Sequence, residues 1–313
     1  MKIYIGTSGW QYWHWKGKFY PKDLANKDFL RFYSKYFNSV EINTSFYHLT
    51  KKTTFEKWID EIANLCEPKT NLRELKTNLY ESGSRAKHPA RPRIELCSGS
   101  GPNADLRRKN NNDFLFAVKF YRLFTHLKKL NLKKEDEKTL KTFLENVSAL
   151  KEKLGPILIQ LPPSFKNKEA LEKFIKKFKN IYRELSRTKR ELSQTVYNLR
   201  LIKNYPLIAV EIRNKNLLNK DVYNFLKKEK IIFVISDSPR WPTEFVKTTD
   251  VVYVRFHGKP ILFGSKYSKR ELKEYVVKIK KLKPKVLFAY FNNDAEGYAI
   301  DNALEFKNLV NLL

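Results

Sequence analysis

The stretch VLFAYFNNDAEGYAIDNA, residues 286–303, contains a strand-like run, its abrupt end and the start of a helical pattern. Six apolar or aromatic residues stop at Asn292, Asn293 and Asp294. An apolar run of this length is typical of a buried strand, which we place at Val286–Asn292. A buried strand that meets two amides and a carboxylate indicates a polar site at its end, provided that other strands end in the same way.

Seven other short apolar runs give the same strand signal. They are Lys2–Gly6, Ser39–Asn43, Phe114–Lys119, Pro156–Leu161, Ile208–Arg213, Ile231–Asp237 and Val251–His257. Most segments between them are amphipathic at helical spacing, most clearly FLRFYSKYF, TFEKWIDEIANL, ALEKFIKKFKNIY and ELKEYVVKIKKL. Ser238–Asp250 is the weakest of these segments, because Pro239 and Pro242 leave room for only a short helix.

Eight strands that alternate with helices predict a parallel sheet, and the number eight favours a closed (β/α)8 TIM barrel over residues 1–313 as one domain. The alternative is an open doubly wound sheet, which usually carries a GxGxxG turn after its first strand. The turn here is GTSGWQYW and lacks that pattern. In a barrel of this kind, the carboxyl ends of the strands form the rim where ligands bind.

The chain is strongly basic. It has 62 lysines and arginines against 33 aspartates and glutamates, a formal net charge of +29. A charge of this size attracts polyanions, of which DNA and RNA are the common ones. The alternative interpretation is coding bias toward Lys and Asn, with most lysines simply solvated on helix faces.

The cysteines and the apolar runs bear on location. Cys66 and Cys97 are the only cysteines, which is neither a disulfide framework nor a zinc-binding pattern. No run approaches 18 unbroken apolar residues, and MKIYIGTSGW enters a strand pattern without the zones of a secretory signal. We therefore expect a cytoplasmic protein with reduced thiols and no membrane partner.

Side-chain alternation predicts which rim residues face the barrel interior. The outer face of each strand is apolar because helices cover it, so the polar positions between the apolar ones point inward. The inward set is Glu41, Asn43, Glu211, Arg213, Tyr253, Arg255, His257, Tyr290 and Asn292. The other polar strand ends are Lys119, Gln160 and Asp237. This ring is either a ligand site or a structural ion network that fills the top of the barrel.

Aromatic side chains lie in the loops around this ring. The loop after the first strand holds Trp10, Tyr12, Trp13 and Trp15 with His14, and the later ones are Tyr47, His48 and Trp241. Flat rings beside charged groups suit stacking against bases or sugars. Their alternative role is to cap the barrel mouth as a small hydrophobic lid.

The sequence resembles the YecE-like family, also called domain-of-unknown-function family 72. The matching stretches are GTSGWQYWHWKGKFYP, FNSVEINTSFYHL, TFEKW, FLFAVKFYRLFTHL, LGPILIQLPPSF, IAVEIRN, SDSPRWP, YVRFHG, YSKREL and YFNNDAEGYAIDNA. They touch every predicted strand. The resemblance implies a TIM barrel and leaves the activity open.

Three segments depart from the family pattern. After Glu211 and Arg213 the family usually continues with a His and later a Trp, where this chain has Asn214, Lys215 and Asn216. Residues 67–112 form a long basic insertion before the third strand, with the composition of a mobile loop. Residues 181–205 extend the helical region after the fourth strand.

Two hypotheses for the rim use its carboxylates. Glu41, Glu211, Asp237 and His257 form a candidate site for a divalent metal, although the neighbouring cations would repel it. Without a metal, Glu41 and Glu211 are candidate acid and base for a sugar or nucleoside, with Asp237 orienting a partner. The cations lower the pKa of such carboxyl groups and weaken them as acids.

The hypothesis that we favour is capture of a phosphate-bearing ligand without a cofactor. Lys119, Arg213, Arg255 and His257 supply the charge, with backbone N–H groups of Gly6–Gly9 and of a last helix starting at Asn293–Asp294. The full candidate ligand-binding set is Trp10, Trp13, Tyr47, Asn43, Lys119, Gln160, Arg213, Arg255, Asn292, Asn293 and Asp294. Nucleic acid is one candidate for this ligand. If the protein is an enzyme, we expect it to hydrolyse the ligand. A non-enzymatic nucleic-acid-binding protein is the competing class.

Overall fold

The computed structural model describes residues 1–63, 113–188 and 206–312. Its eight strands are β1 (Lys2–Thr7), β2 (Ser39–Ile42), β3 (Leu115–Lys119), β4 (Leu154–Gln160), β5 (Ile208–Glu211), β6 (Ile232–Asp237), β7 (Val251–Phe256) and β8 (Val286–Phe291). They form one sheet in the order β1-β8-β7-β6-β5-β4-β3-β2, and every strand pair is parallel. The predicted (β/α)8 barrel is confirmed, with each strand end within two residues of its predicted position.

Helices connect the strands along the chain. Those in the described residues are α1 (Phe29–Tyr33), α2 (Thr44–Tyr47), α3 (Lys52–Ala63), α4 (Asp136–Ser148), α5 (Lys168–Thr188), α6 (Lys220–Lys228), α7 (Lys269–Lys281) and α8 (Tyr298–Leu312). The connection from β6 to β7 contains no helix, not even the short one that Pro239 and Pro242 left room for. The described residues contain no helix long and apolar enough to cross a membrane.

The two added segments fall largely outside the described residues. The predicted insertion at 67–112 lies wholly within the undescribed stretch 64–112. Of the extension at 181–205, the part through Thr188 continues α5, and 189–205 is outside the description.

Side-chain alternation divides the core into two layers. The strand residues predicted to point outward, such as Val210 and Val254, pack in the large apolar layer under the helices. The inward residues form a separate smaller cluster inside the barrel, to which Ala209, Tyr253 and Tyr290 belong. The interior is therefore filled with side chains up to the rim, as expected of a barrel with eight strands.

Side chains close the barrel between β1 and β2. The only backbone pairing there is a bridge between Ser8 and Glu41. Asn38 replaces part of the missing ladder, because its amide accepts from Ile5 N at 3.1 Å and donates to Ile3 O at 2.7 Å. The Tyr33 hydroxyl also replaces part of this ladder.

The Tyr33 hydroxyl links the two strands through three contacts. It accepts from Thr7 N at 2.8 Å, lies 3.0 Å from Thr7 Oγ1 and donates to Ser39 O at 3.1 Å. The strands approach so closely here that a Cβ on Gly6 would lie 1.9 Å from Ser39 O. A side chain at position 6 would therefore force β1 and β2 apart.

Tyr33→Phe is expected to lower the free energy of unfolding by about 1–3 kcal/mol, because Thr7 N–H stays buried and loses its acceptor. Urea denaturation of the parent and the variant measures this loss. Tyr36→Phe is the matched control, since the Tyr36 side chain is exposed. Equal stability of Tyr33→Phe and the control would show that the hydroxyl does not stabilise the junction between β1 and β2.

Candidate functional site at the barrel rim

The centre of the rim is the Arg255 guanidinium, which lies fully buried between two carboxylates. Its Nε and Nη2 donate to the two oxygens of Glu41 at 2.9 and 2.7 Å. Its Nη1 donates to Glu211 Oε2 at 2.5 Å. Because Glu41 is on β2, Glu211 on β5 and Arg255 on β7, one side chain joins three strands across the barrel.

Glu41 accepts hydrogen bonds at both oxygens. Besides Arg255, Ser8 Oγ donates to Oε1 and Tyr253 OH donates to Oε2 at 2.7 Å. Burial on its own raises the pKa of Glu41, but the charge of Arg255 and these hydrogen bonds outweigh it and lower the pKa below its usual value. Glu41 is therefore an ionised acceptor at neutral pH rather than an acid.

Glu211 is held in the same way by a second arginine. Arg213 Nε donates to Glu211 Oε1 at 2.6 Å, and the guanidinium of Arg213 stacks 4.2 Å from the ring centre of Trp241. Burial raises the pKa of Glu211, whereas Arg213 and Arg255 lower it by more, and the net pKa is well below normal. Arg213 is the one of the two arginines that keeps some exposure, at 14% of its side chain.

His257 is buried and electrically neutral at physiological pH. Its Nε2 lies 3.4 Å from Glu211 Oε1, and Asn292 Nδ2 lies 3.1 Å from its Nδ1. Burial and the nearby Arg255 lower the pKa of His257 to about 4. The imidazole thus contributes a hydrogen bond to the network and no charge to an anionic ligand.

Lys119 forms the basic edge of the rim. Within residues 1–63, 113–188 and 206–312, its ammonium makes no hydrogen bond or ion pair and packs 4.0 Å from the ring centre of Phe46. Burial and the charge of Arg255 lower the pKa of Lys119 to about 7. Lys119 thus differs from Arg213 and Arg255, because each of these arginines binds a carboxylate and Lys119 binds none in the described residues.

His126 and Gln160 lie beside this amine. Gln160 Nε2 is 3.3 Å from His126 Nε2, and the His126 ring meets Phe46 edge-on at 4.9 Å. Burial, followed by the charge of Lys119, lowers the pKa of His126 to about 4. Both groups are therefore neutral hydrogen-bonding partners at the same edge of the rim.

The expectation that Asp237 joins this cluster is wrong. On β6 the inward positions are Ile232 and Val234, so Ser236 is the inward residue at the rim and Asp237 points outward. Tyr267 OH donates to the Asp237 carboxylate at 2.5 Å, and Tyr275 and Lys259 also bind it. Asp237 thus holds the loop after β7 in place and does not face the barrel interior.

The polar residues after β8 have separate structural contacts. Asn293 Nδ2 donates to Ser265 O and to Asn302 Oδ1, both at 2.9 Å. Asp294 accepts from Trp15 Nε1 at 3.0 Å and from His14 Nε2 at 2.9 Å. Burial raises the pKa of Asp294 to about 6. Only Asn292 of the three contacts the central network.

The predicted amide cradle for a phosphate is not formed by the expected groups. The last helix begins at Tyr298, four residues after Asp294. At β1, Thr7 N already donates to Tyr33 OH and Ser8 N donates to Phe291 O. The N–H groups of Thr7 and Ser8 are therefore used to close the barrel and are not available to a phosphate.

The aromatic residues divide into buried and exposed ones. Trp10 is buried and packs edge-on against Trp58 at 5.0 Å, in the layer outside the strands. Trp13 and Tyr47 are 64% and 56% exposed and remain candidates for ligand contact. Trp241 is buried under Arg213 and donates to Ser236 Oγ at 2.9 Å.

The carboxylates do not form the metal site that the sequence left open. Glu41 and Glu211 accept from guanidinium and hydroxyl donors, and Asp237 lies on the other face of its strand. The described residues contain no group of three or more His, Cys, Asp and Glu side chains that fits a metal ion. The candidate metal ligands therefore do not present the convergent oxygen atoms that a divalent cation requires; they are Glu41, Glu211, Asp237 and His257.

Sequence reasoning missed three side chains of the network. Ser8 is inward on β1 in line with Tyr4, and Ser236 is inward on β6 in line with Val234, so alternation on those two strands identifies both. His126 lies in a single π-helical turn, Leu123–Leu127, whose conformation has no comparable sequence signal. Asn43, which alternation predicts to point inward, donates to Ser8 O at 3.1 Å and Oγ at 2.9 Å.

Arg255→Met is expected to lower the free energy of unfolding by about 3–5 kcal/mol at pH 7, because it leaves two buried carboxylates without their shared cation. In the parent, the lowered pKa values stabilise the fold above the usual glutamate pKa of 4.5, and this contribution is lost as the pH falls. The difference between variant and parent should therefore shrink from pH 7 toward pH 4, where the variant's carboxyl groups are protonated.

Urea denaturation at several pH values measures this difference, and Arg270→Met is the control, since the Arg270 side chain is 90% exposed. A cost that does not depend on pH would show that Arg255 stabilises the barrel by packing alone.

Comparisons with known proteins agree with this architecture. The family model "Protein of unknown function DUF72" matches residues 4–65 and 103–313. UPF0759 protein YunF of Bacillus subtilis is 22% identical over 99% of this chain and 95% of its own length. A DUF72 family protein from Thermotoga maritima has a crystal structure that matches with a TM-score of 0.67 at 24% identity, covering 99% of this chain and 100% of that one.

A second crystal structure, of a DUF72 family protein from Enterococcus faecalis, matches with a TM-score of 0.67 at 18% identity. It covers 99% of this chain and 96% of its own. These similarities extend over the barrel and are too low in identity to carry more than the fold. Because the family model covers most of the sequence, the chain belongs to the DUF72 family of proteins of unknown function.

Proposed function

We propose that the rim binds a phosphate-bearing ligand through Lys119 and Arg213. The observation that carries the proposal is the half-buried Lys119 amine, which has no carboxylate partner in the described residues while both inward carboxylates are held by arginines. A buried cation without a counter-charge is costly, and a bound anion removes that cost. Arg213 adds a planar donor suited to phosphate oxygens.

The charges of the inward cluster support this assignment. Three cationic side chains, Lys119, Arg213 and Arg255, face two carboxylates, Glu41 and Glu211. Arg255 is fully enclosed by both carboxylates and Arg213 shares one of them. The excess positive charge is thus located at the Lys119 edge, where the side chain is only half-buried.

The residues predicted to be catalytic are not arranged to hydrolyse a bound ligand. A hydrolytic step needs a base that takes a proton from water. Glu41 and Glu211 have lowered pKa values and accept from cations at both oxygens, and His257 is enclosed between Glu211 and Asn292. Asp237 is bound by Tyr267 and Tyr275 outside the barrel.

Sulfate is a suitable probe because its charge is constant between pH 6 and pH 8. Since the pKa of Lys119 is about 7, the ammonium form dominates at pH 6 and is minor at pH 8. Isothermal titration should therefore give about tenfold tighter binding at pH 6 than at pH 8. Lys119→Met should remove this dependence and Arg213→Met should weaken binding at both pH values.

Lys57→Met, a change at an exposed lysine of α3, is the control and should bind like the parent. The absence of saturable sulfate binding, or equal binding by Lys119→Met and the parent, would contradict the proposed site.

Nucleic acid is the second candidate ligand. Trp13 is 64% exposed in the loop after β1, and the ammonium of Lys16 lies 5.1 Å from its ring centre. An exposed ring beside a cation suits a stacked base next to a phosphate. The net charge of +29 agrees with this reading.

If nucleic acid is the ligand, the protein should bind single strands with a slope of log K against log salt of about −3 to −5, since about four to six phosphates would be neutralised. Trp13→Ala should weaken single-strand binding by about 1–3 kcal/mol, because a stacked base loses its platform. Val277→Ala, a change at an exposed apolar side chain on α7, should have no effect. A flat salt dependence, or Trp13→Ala binding like the parent, would leave a small anionic metabolite as the ligand.

A further inference from the structure

We propose that Lys119 is an amine nucleophile that forms a Schiff base with a carbonyl group of the bound ligand. The substrate class is a phosphorylated aldehyde or ketone, whose phosphate occupies the anion site beside Arg213. The phosphate part rests on the proposed function, whereas the reactivity of the amine is a separate claim that is measured independently.

The position of Lys119 is that of a group directed at a ligand. It ends β3, and its inward orientation follows from Leu115 and Ala117, which are inward on the same strand. Its ammonium contacts the face of Phe46, and the part of the chain that the structure describes supplies no acceptor to it. The amine nitrogen is therefore not engaged in a structural hydrogen bond.

Two other lysines in the described residues are bound to oxygen atoms. Lys179 donates to the Glu229 side chain at 2.7 Å and to Glu229 O at 2.5 Å. Lys259 binds the outward carboxylate of Asp237. Both ammonium groups have oxygen acceptors, and Lys119 has no such partner in the described residues.

The surroundings of Lys119 supply free amine at neutral pH. Burial disfavours the ammonium form, and the charges of Arg255 and Arg213 disfavour it further, so the pKa falls to about 7. About half of the molecules then carry the neutral amine at pH 7, against well under 1% for an ordinary lysine. Desolvation beside other cations is one of the known ways in which lysine becomes a nucleophile.

The reaction balances without an added oxidant or reductant. The lone pair of Nζ attacks the carbonyl carbon and forms a C–N bond, while the carbonyl oxygen takes up the proton that the nitrogen loses. The resulting hydroxyl group then leaves as water with the second amine proton, which gives the imine. Gln160 and His126 lie at this edge as neutral hydrogen-bonding groups for the oxygen that leaves.

Pyridoxal 5′-phosphate is a direct probe, since it carries both an aldehyde and a phosphate. Brief incubation at pH 7, reduction with borohydride and peptide mass spectrometry measure which lysines are labelled. Lys119 should be labelled about tenfold faster, or more, than the exposed Lys57, because far more of its amine is neutral. Lys119→Arg keeps the charge and should remove the fast adduct, whereas Lys57→Arg should not.

5-Deoxypyridoxal, which lacks the phosphate and has no 5′-hydroxyl to close on its aldehyde, separates the two claims. Faster labelling of Lys119 by the phosphorylated probe, with competition by sulfate, supports both the amine and the anion site. Fast labelling by both probes at equal rates supports the nucleophile and overturns the phosphate site. Saturable sulfate binding with Lys119 labelled no faster than Lys57 overturns the nucleophile and leaves the proposed function standing.

Discussion

The interaction on which the rim depends is the clamp of Arg255 on Glu41 and Glu211. A buried arginine with two ionised carboxylates would be costly if any of the three lacked its partners. Here every polar atom at the centre has one, through Ser8, Tyr253, Arg213 and Arg255 itself. The clamp also fixes the relative positions of β2, β5 and β7, which matters because β2 meets β1 through side chains rather than a full ladder.

The same clamp decides which groups can act on a ligand. Arginine balances the negative charge of both carboxylates and keeps them deprotonated, so neither serves as a general acid at neutral pH. Burial lowers the pKa values of Lys119 and His257, and the charge of Arg255 lowers them further. The rim is therefore a closed ion network on one side and, within the described residues, a basic edge without a carboxylate partner at Lys119 on the other. The closed network is a structural plug, and the Lys119 edge is where we propose that a ligand binds.

The fold was predictable from the sequence, and most of the inward residues were too. Alternating apolar and polar positions on β5 and β7 identify Glu211 and Arg255 as inward, because helices require an apolar outer face. On β6, alternation in IFVISD places Ser236 inward and Asp237 outward. The position of Asp237 at the strand end therefore does not bring it inside the barrel, because one residue of register exchanges the two faces.

The ion-pair partners and the exposure of the rim side chains could not be predicted from the sequence. Alternation shows that Lys119 points inward, but not that Arg255 binds both inward carboxylates and that Lys119 has no carboxylate partner in the described residues. Likewise, the polar run after β8 does not reveal that Trp15 and His14 bind Asp294 or that the last helix begins only at Tyr298. These outcomes depend on contacts between loops far apart in the chain.

Arg255, together with Arg213 beside Glu211, keeps Glu41 and Glu211 ionised inside the barrel. Carbon-13 NMR of labelled glutamate carboxyl groups, assigned with Glu41→Gln and Glu211→Gln, measures this directly. The account predicts that both signals stay at the ionised chemical shift from pH 8 down to pH 4.5, the usual pKa of the side chain. Titration of either carboxyl group above pH 4.5 would show that it carries a proton near neutrality, and would contradict the clamp.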